Sequence, residues 1–169
     1  MNSVEVVVRL ADLDDVRSIH DVAIATWEPT YRAIISQEQI AMMFNDLLTI
    51  EAIRGQIVNA EGTYVLACIG EQPHGFAYFK PSDEQAGVFK LHRLYVRPSV
   101  QGSGIGRCLL DFVEQCLVEL GAVELQLNVN RFNSAQEFYR KQGYHVVETV
   151  DIPYKQFWLN DYVMKKALR

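Results

Sequence analysis

The stretch of this sequence best suited to chemistry is Arg97-Pro98-Ser99-Val100-Gln101-Gly102-Ser103-Gly104-Ile105-Gly106-Arg107. It follows a strand-like segment and opens a helical one. Glycines at alternate positions let a backbone approach a phosphate closely. The first N–H groups of a helix point outward without internal partners, and the helix dipole adds partial positive charge. Arg107, with Arg97 and Arg140, would add full charges. A pyrophosphate is the natural ligand. Two nucleotide loops do not fit. A Walker A loop needs a lysine that is missing here. The dinucleotide fingerprint, counted from Gly102, needs a glycine where Arg107 stands, and no complete βαβ unit precedes it. The structural alternative is a tight turn that merely starts a helix, which three alternate glycines disfavour.

The elements that must position this loop read as follows. Val4 to Leu10 forms a first strand. Asp12 caps a helix with Asp15 in its first turn, and Val16, Ile19, Ala23 and Trp27 carry it to about Trp27, with Pro29 just beyond. Helical pieces follow over about 37–44 and 50–59. Thr63–Ile69 and Gly75–Phe79 form a hairpin turning through residues 71–75. Val88 to Val96 is a strand in which Phe89 and Leu91 put the apolar side on odd positions, and Leu94 and Val96 put it on even ones. Strand period is two, so the phase slips near His92-Arg93. A β-bulge there is one reading, and a strand buried on both faces is the other. An amphipathic helix spans about Gly104 to Leu120 and closes at Gly121. Val123 to Val129 alternates as a strand. Asn133 caps a short helix ending at Gly143, and two strands close the chain over 144–150 and about 156–164. The whole is a mixed α/β sheet in one domain.

Composition bounds the partners. The 169 residues fit one domain, and the formal net charge is −5 with no basic stripe, which argues against nucleic acid. An acidic balance favours a cationic acceptor through steering. No apolar run approaches a membrane span and no signal-peptide pattern opens the chain, so a cytoplasmic location is the default. Cys68, Cys108 and Cys116 have no CxxC spacing and read as reduced core residues. His20, His74 and His145 have no ligand-like spacing, and no metal site is expected.

Gln101-Gly102-Ser103-Gly104-Ile105-Gly106 resembles the Gln/Arg-x-x-Gly-x-Gly/Ala signature of the GNAT superfamily of N-acetyltransferases. Leu94-Tyr95-Val96-Arg97-Pro98 is similar to that family's central-strand ending, and Asn133-Ser134-Ala135 through Phe138-Tyr139-Arg140-Lys141-Gln142-Gly143-Tyr144 to its second motif. The resemblance covers nearly the whole chain. Within the family, the bacterial spermidine/spermine acetyltransferase branch looks nearest.

The resemblance implies a mixed, mostly antiparallel sheet flanked by helices and splayed between its fourth and fifth strands. Acetyl-CoA would enter that splay. The backbone of Leu94, Tyr95 and Val96 would pair with the pantetheine arm. The N–H groups of Gln101, Gly102, Ser103, Gly104, Ile105, Gly106 and Arg107 would hold the pyrophosphate, and Asn133 would hydrogen-bond the pantetheine. Transfer would be direct, with Tyr139 as the acid for the departing thiolate. The family's frequent glutamate base on the central strand is absent. Lys90 and His92 stand in the candidate positions, and His92 is chemically suited to the role. A water relay to acidic residues is the alternative. The acceptor pocket would draw on Trp27, Glu28 and Tyr31, since an aromatic face beside a carboxylate suits an ammonium. Ordinary packing is the plain alternative for each. The implied acceptor is a small primary amine such as a polyamine. The rivals are acetylation of a protein N-terminus or lysine, and a non-catalytic acyl-CoA sensor. The aromatic ending at Tyr154, Phe157, Trp158 and Tyr162 would allow a homodimer.

Overall fold

The computed structural model describes residues 5–168. Val4, the expected start of the first strand, lies outside the described residues. In chain order the elements are β1 (Val6–Leu10), α1 (Val16–Tyr31), α2 (Gln37–Leu47), α3 (Ile50–Val58), β2 (Thr63–Ile69), β3 (Gln72–Pro81), β4 (Val88–Val96), α4 (Ile105–Glu119), β5 (Glu124–Asn130), α5 (Ala135–Lys141), β6 (His145–Tyr154) and β7 (Phe157–Ala167). The strands form one seven-stranded sheet in the order β1-β2-β3-β4-β5-β7-β6. Every neighbouring pair is antiparallel except β4 with β5.

Alternation along the strands sends apolar side chains to both faces of this sheet. On one face Leu125, Leu127, Leu91 and Ala77 pack against Leu109, Leu110, Val113 and Leu117 of α4. On the other, Tyr64, Leu66, Phe76 and Tyr78 meet Ile19, Val22 and Trp27 of α1 and Ile53 of α3. The middle of the sheet, β2 to β4, is therefore buried between two layers of helix, each with its own core, while β6 at the edge stays largely exposed.

Where sequence and structure differ, local chemistry gives the reason. Helix α1 does not stop at Trp27 but runs through Pro29 to Tyr31. A proline loses one hydrogen bond, here to the Ala25 carbonyl. The turn is kept because Arg32 N–H donates to Glu28 O at 2.9 Å and the Trp27 and Tyr31 rings pack 4.7 Å apart. The β2–β3 hairpin turns at Gly70-Glu71 rather than through 71–75, with Ile69 opposite Gln72 and Gly70 at φ +60°. Pro73 then sits beside a register slip that leaves His74 unmatched, the kind of place a strand proline tolerates. The last two strands are longer than their apolar pattern indicates. Cys68 and Cys116 are half-buried, but Cys108 is exposed and does not join the core, because its position on α4 falls outside the stripe set by Ile105, Leu109 and Val113.

The phase slip in β4 is a β-bulge. Tyr78 pairs with Arg93 and Phe79 with Leu91, so His92 is the extra residue. From there the strand turns Leu94 and Val96 toward the α4 face, while Arg93 and Tyr95 pack on the α1 face.

Candidate active site

Strands β4 and β5 pair only from Val88↔Glu124 to Leu91↔Leu127. Beyond Leu91 they part, and a cleft of about 1080 Å³ opens between them. One wall is the second half of β4. Arg97 N–H donates to His74 O at 2.8 Å, so by strand alternation Tyr95 also turns its backbone groups toward β3. Those of Leu94 and Val96 therefore face the cleft. Gln101 Nε2 donates to the Val96 carbonyl at 3.1 Å, which fits that direction. Of the three residues expected to meet an extended ligand through the backbone, Leu94 and Val96 are placed to do so and Tyr95 is not.

The cleft ends at the glycine loop. Gly102 and Gly104 sit at φ +82° and +90°, a region open to glycine at little cost. A Cβ on either would meet nothing within 4 Å, so the surface before them is open. The first helical bond of α4 is Cys108 N–H to Gly104 O at 3.0 Å. The N–H groups of Ile105, Gly106 and Arg107 have no backbone acceptor among the described residues, and all three residues line the cleft. Free N–H groups at the start of a helix of fifteen residues are suited to cradle an anion. Gly106 lets the first turn sit against Phe138, whose ring lies 3.5 Å from where its Cβ would be. Ser103 differs from expectation. Its N–H and hydroxyl both donate to the Val100 carbonyl, and it does not line the cleft. Arg140 also lies outside, its guanidinium on Glu137 at 3.0 Å one helical turn away. Arg97 points back to Pro73 O. Arg107 remains at the cradle, largely exposed, with Asp111 at 3.7 Å.

The opposite wall carries Asn128, Asn130, Asn133 and Tyr139. Asn133 Oδ1 accepts the Ala135 N–H at 2.9 Å and so fixes the start of α5. Tyr139 is buried, its ring edge-on to Phe138 and Tyr144, and its hydroxyl takes no partner among the described residues. Burial, and then the nearby Tyr31 phenol, hold its pKa well above the usual range, so it stays protonated. Tyr31 and Tyr95 join hydroxyls at 2.8 Å beside it.

The far end of the cleft holds His92, Lys80, Lys90, Arg93 and Asp161. His92 is exposed at the rim, yet nearby protein desolvates its ring and Lys80, Lys90 and Arg93 add positive charge, pushing the imidazole down to about 4. It is neutral at physiological pH. Trp27 lines the cleft but is mostly committed to the core, its Nε1 donating to Ile40 O at 3.1 Å. Glu28 does not line the cleft. Its carboxylate lies on Arg32 at 2.7 Å, because residues four apart share a helix face. Sequence reasoning missed Asp161, the one carboxylate among the residues lining the cleft. It is buried on β7, with Asn128 Nδ2 at 3.4 Å, and desolvation raises its pKa. The sequence carries no local signal for it, because β7 also holds Asn160, Lys165 and Lys166, and only pairing with β5 sets Asp161 beside Asn128.

Among the described residues no group of three or more His, Cys, Asp or Glu side chains is arranged to hold a metal, and no helix is long and apolar enough to cross a membrane.

A family model, the acetyltransferase (GNAT) domain, matches residues 31–168. The spermidine N(1)-acetyltransferase of Thermoplasma acidophilum is 29% identical over 147 residues, covering 84% of this chain and 89% of that protein. The crystal structure of the PaiA N-acetyltransferase of the same organism, in complex with coenzyme A, superposes with a TM-score of 0.84 at 27% identity over 96% of this chain and 99% of that one. A GCN5-related N-acetyltransferase of Rhodopseudomonas palustris shares the fold with a TM-score of 0.79 at 23% identity, covering 99% and 98%.

Proposed function

The chain belongs to the GNAT family of acetyltransferases, and from that premise we propose that it transfers an acetyl group from acetyl-CoA directly to a primary amine of a small molecule. The observation that carries this is the open splay after Leu91, which runs from unpaired backbone groups on Leu94 and Val96 to the free N–H groups at the start of α4. An extended pantetheine arm fits beside Leu94 and Val96 as a further strand. Its pyrophosphate fits the cradle at Gly102, Gly104 and the N–H groups of Ile105, Gly106 and Arg107. Open space before the glycines permits that approach. The coenzyme-bound Thermoplasma structure supports the same donor.

In this reading the thioester lies between Leu94 and Tyr139. The amine nitrogen attacks the carbonyl carbon, the C–S bond breaks, and an amide and a thiolate result; the thiolate is protonated from solvent, to which His92 returns the amine proton. The Leu94 N–H, which faces the cleft, is the donor for the developing oxyanion. Tyr139 donates to the departing thiolate. Its high pKa, against about 8.5 for a thiol, makes it a hydrogen-bond donor in the transition state more than a full proton source. His92 is neutral and takes the amine proton. Desolvation, and then the neighbouring cations, hold it neutral, and the same surroundings lower the pKa of an ammonium that enters the cleft, so a weak base suffices. A polyamine is the acceptor in the name of one relative, but the charges lining this cleft favour a different amine. The exposed edge strand β6 and the half-exposed Trp158 support self-association through the aromatic ending.

The test is release of free thiol from acetyl-CoA by the purified protein, across a panel of polyamines, amino sugars, amino acids and basic peptides. Release with a small amine is expected. Release with peptides alone would replace this reading with protein acetylation. Silence across the panel while coenzyme still raises Tm would leave a coenzyme-binding module without transfer.

A further inference from the structure

The acceptor end of the cleft is charged the wrong way for a polycation. Lys80 and Lys90 stand directly opposite each other in the β3–β4 register, and both line the cleft. Like charges so placed repel. Arg93 is buried beside them, 9% exposed, with its guanidinium on neutral oxygens: Tyr64 Oη at 2.7 Å and Gln56 Oε1 at 3.2 Å. It lies 4.7 Å over the Tyr78 ring. None of these three cations forms an ion pair among the described residues. Lys90 feels Asp161 and Glu84 only at a distance, and crowded cations without a directly paired counter-charge are costly, so an anion arriving there is favoured.

The nearby carboxylates do not supply it. Asp46 is held by Lys155 Nζ at 2.7 Å and the Tyr154 hydroxyl at 2.6 Å. Glu51 and Glu61 line a separate hollow of about 410 Å³ shared with Lys80 and Arg93, yet pair with neither. The cluster also lies away from the pyrophosphate cradle, which sits past the other end of β4, so the coenzyme phosphates do not account for it. Across the cleft stands one carboxylate, Asp161, bonded only to Asn128.

Resting on the transferase reading above, we propose that the acceptor is an amine that also carries an anionic group, as an amino acid does. Its ammonium is received at Asp161 and its carboxylate at Lys80, Lys90 and Arg93. Desolvation and then the charges of Lys80, Lys90 and Arg93 depress His92, while Lys90 is lowered by desolvation against the opposing pull of Asp161 and Glu84.

The experiment compares matched acceptors at fixed acetyl-CoA: amino acids and longer amino carboxylates, their neutral amides, a phosphate-bearing amine, and spermidine. Thiol release and thermal stabilisation in the presence of coenzyme A are read in parallel. The expected result is that the carboxylate-bearing member of each pair is preferred about tenfold or more in kcat/KM, as charge-assisted hydrogen bonds warrant. In Lys90→Gln and Lys80→Gln proteins that ratio collapses toward one. These residues are half-exposed, so the variants avoid the folding risk of replacing Arg93. A preference for the phosphate-bearing amine over both its neutral partner and the amino acids keeps the anionic subsite and changes the anion. Spermidine as best acceptor, improved by Lys90→Gln, overturns the proposal. So does a gain on exchanging acetyl-CoA for succinyl-CoA with no preference among acceptors, which would place the anion on the donor. Absence of thiol release sinks the transferase reading alone, because the thermal ranking of amino acid over amide still decides whether the anionic subsite exists.

Discussion

The phenol oxygens of Tyr31 and Tyr95 lie 2.8 Å apart, tying the end of helix α1 to the central strand at the mouth of the splay. Burial raises both pKa values, so both stay protonated and one hydroxyl donates to the other. Removing the hydroxyl in Tyr31→Phe leaves the Tyr95 oxygen without its partner. The expected loss is about 1–3 kcal/mol, read as a lower Tm. The acceptor KM should rise as well, because α1 forms the roof over that end of the cleft.

Tyr139→Phe tests the thiolate partner. The ring and its packing on Phe138 and Tyr144 survive. kcat should fall by roughly 10²-fold or more, with coenzyme affinity changed by less than about threefold. An unchanged kcat would remove Tyr139 from the reaction.

Asp161→Asn separates function from stability. The carboxyl pKa is raised in the folded protein, chiefly by desolvation. A raised acid contributes stability below its unfolded value, near 3.9, and loses it as pH rises through the folded value. At neutral pH the charged form is therefore a cost that the amide relieves. Tm should hold or rise by about 1–4 °C while kcat/KM for the amine falls. A large fall in Tm would mean that Asp161 is held by the fold rather than kept for a ligand.

His92 sets the acid side of the pH profile. Its folded value, near 4, lies below the ordinary 6.5. The stability it contributes is present above 6.5 and is lost as pH falls through 4. In the free enzyme, kcat/KM should show no break near 6.5 and should fall only toward pH 4, a limb that His92→Gln removes. A break near 6.5 would put the base elsewhere.

Gly104→Ala probes the anion cradle. The Cβ would meet open space, so the penalty is the positive φ alone, about 1–2 kcal/mol. Tm should fall by a few degrees, and coenzyme affinity, read by calorimetry, should fall with it as the loop relaxes from the shape the phosphates need.

Much of this arrangement is local and so is legible in the chain. The slip between Leu91 and Leu94 marks the bulge at His92 because strand period is strict. Gly102 and Gly104 mark the start of α4 because positive φ leaves a compositional trace, and Gly106 does so because Phe138 packs against it. What escaped is non-local. Asp161 reads as a surface residue until β7 pairs with β5 and sets it beside Asn128. Lys80 and Lys90 are ten positions apart, and only the β3–β4 register makes them neighbours. Glu28 failed for the opposite reason, since a partner one turn away claims it before any cleft is formed.

The parting of β4 from β5 after Leu91 leaves the sheet with a seam in its middle. A ligand lying in that seam does more than bind, because it supplies hydrogen bonds that the chain itself cannot make. Folding and coenzyme supply are then linked, with about 2.7 kcal/mol gained at a hundredfold excess over Kd. In the proposed reading, a protein short of coenzyme should therefore melt at a lower temperature than one saturated with it, and the difference measures how much the seam depends on its occupant.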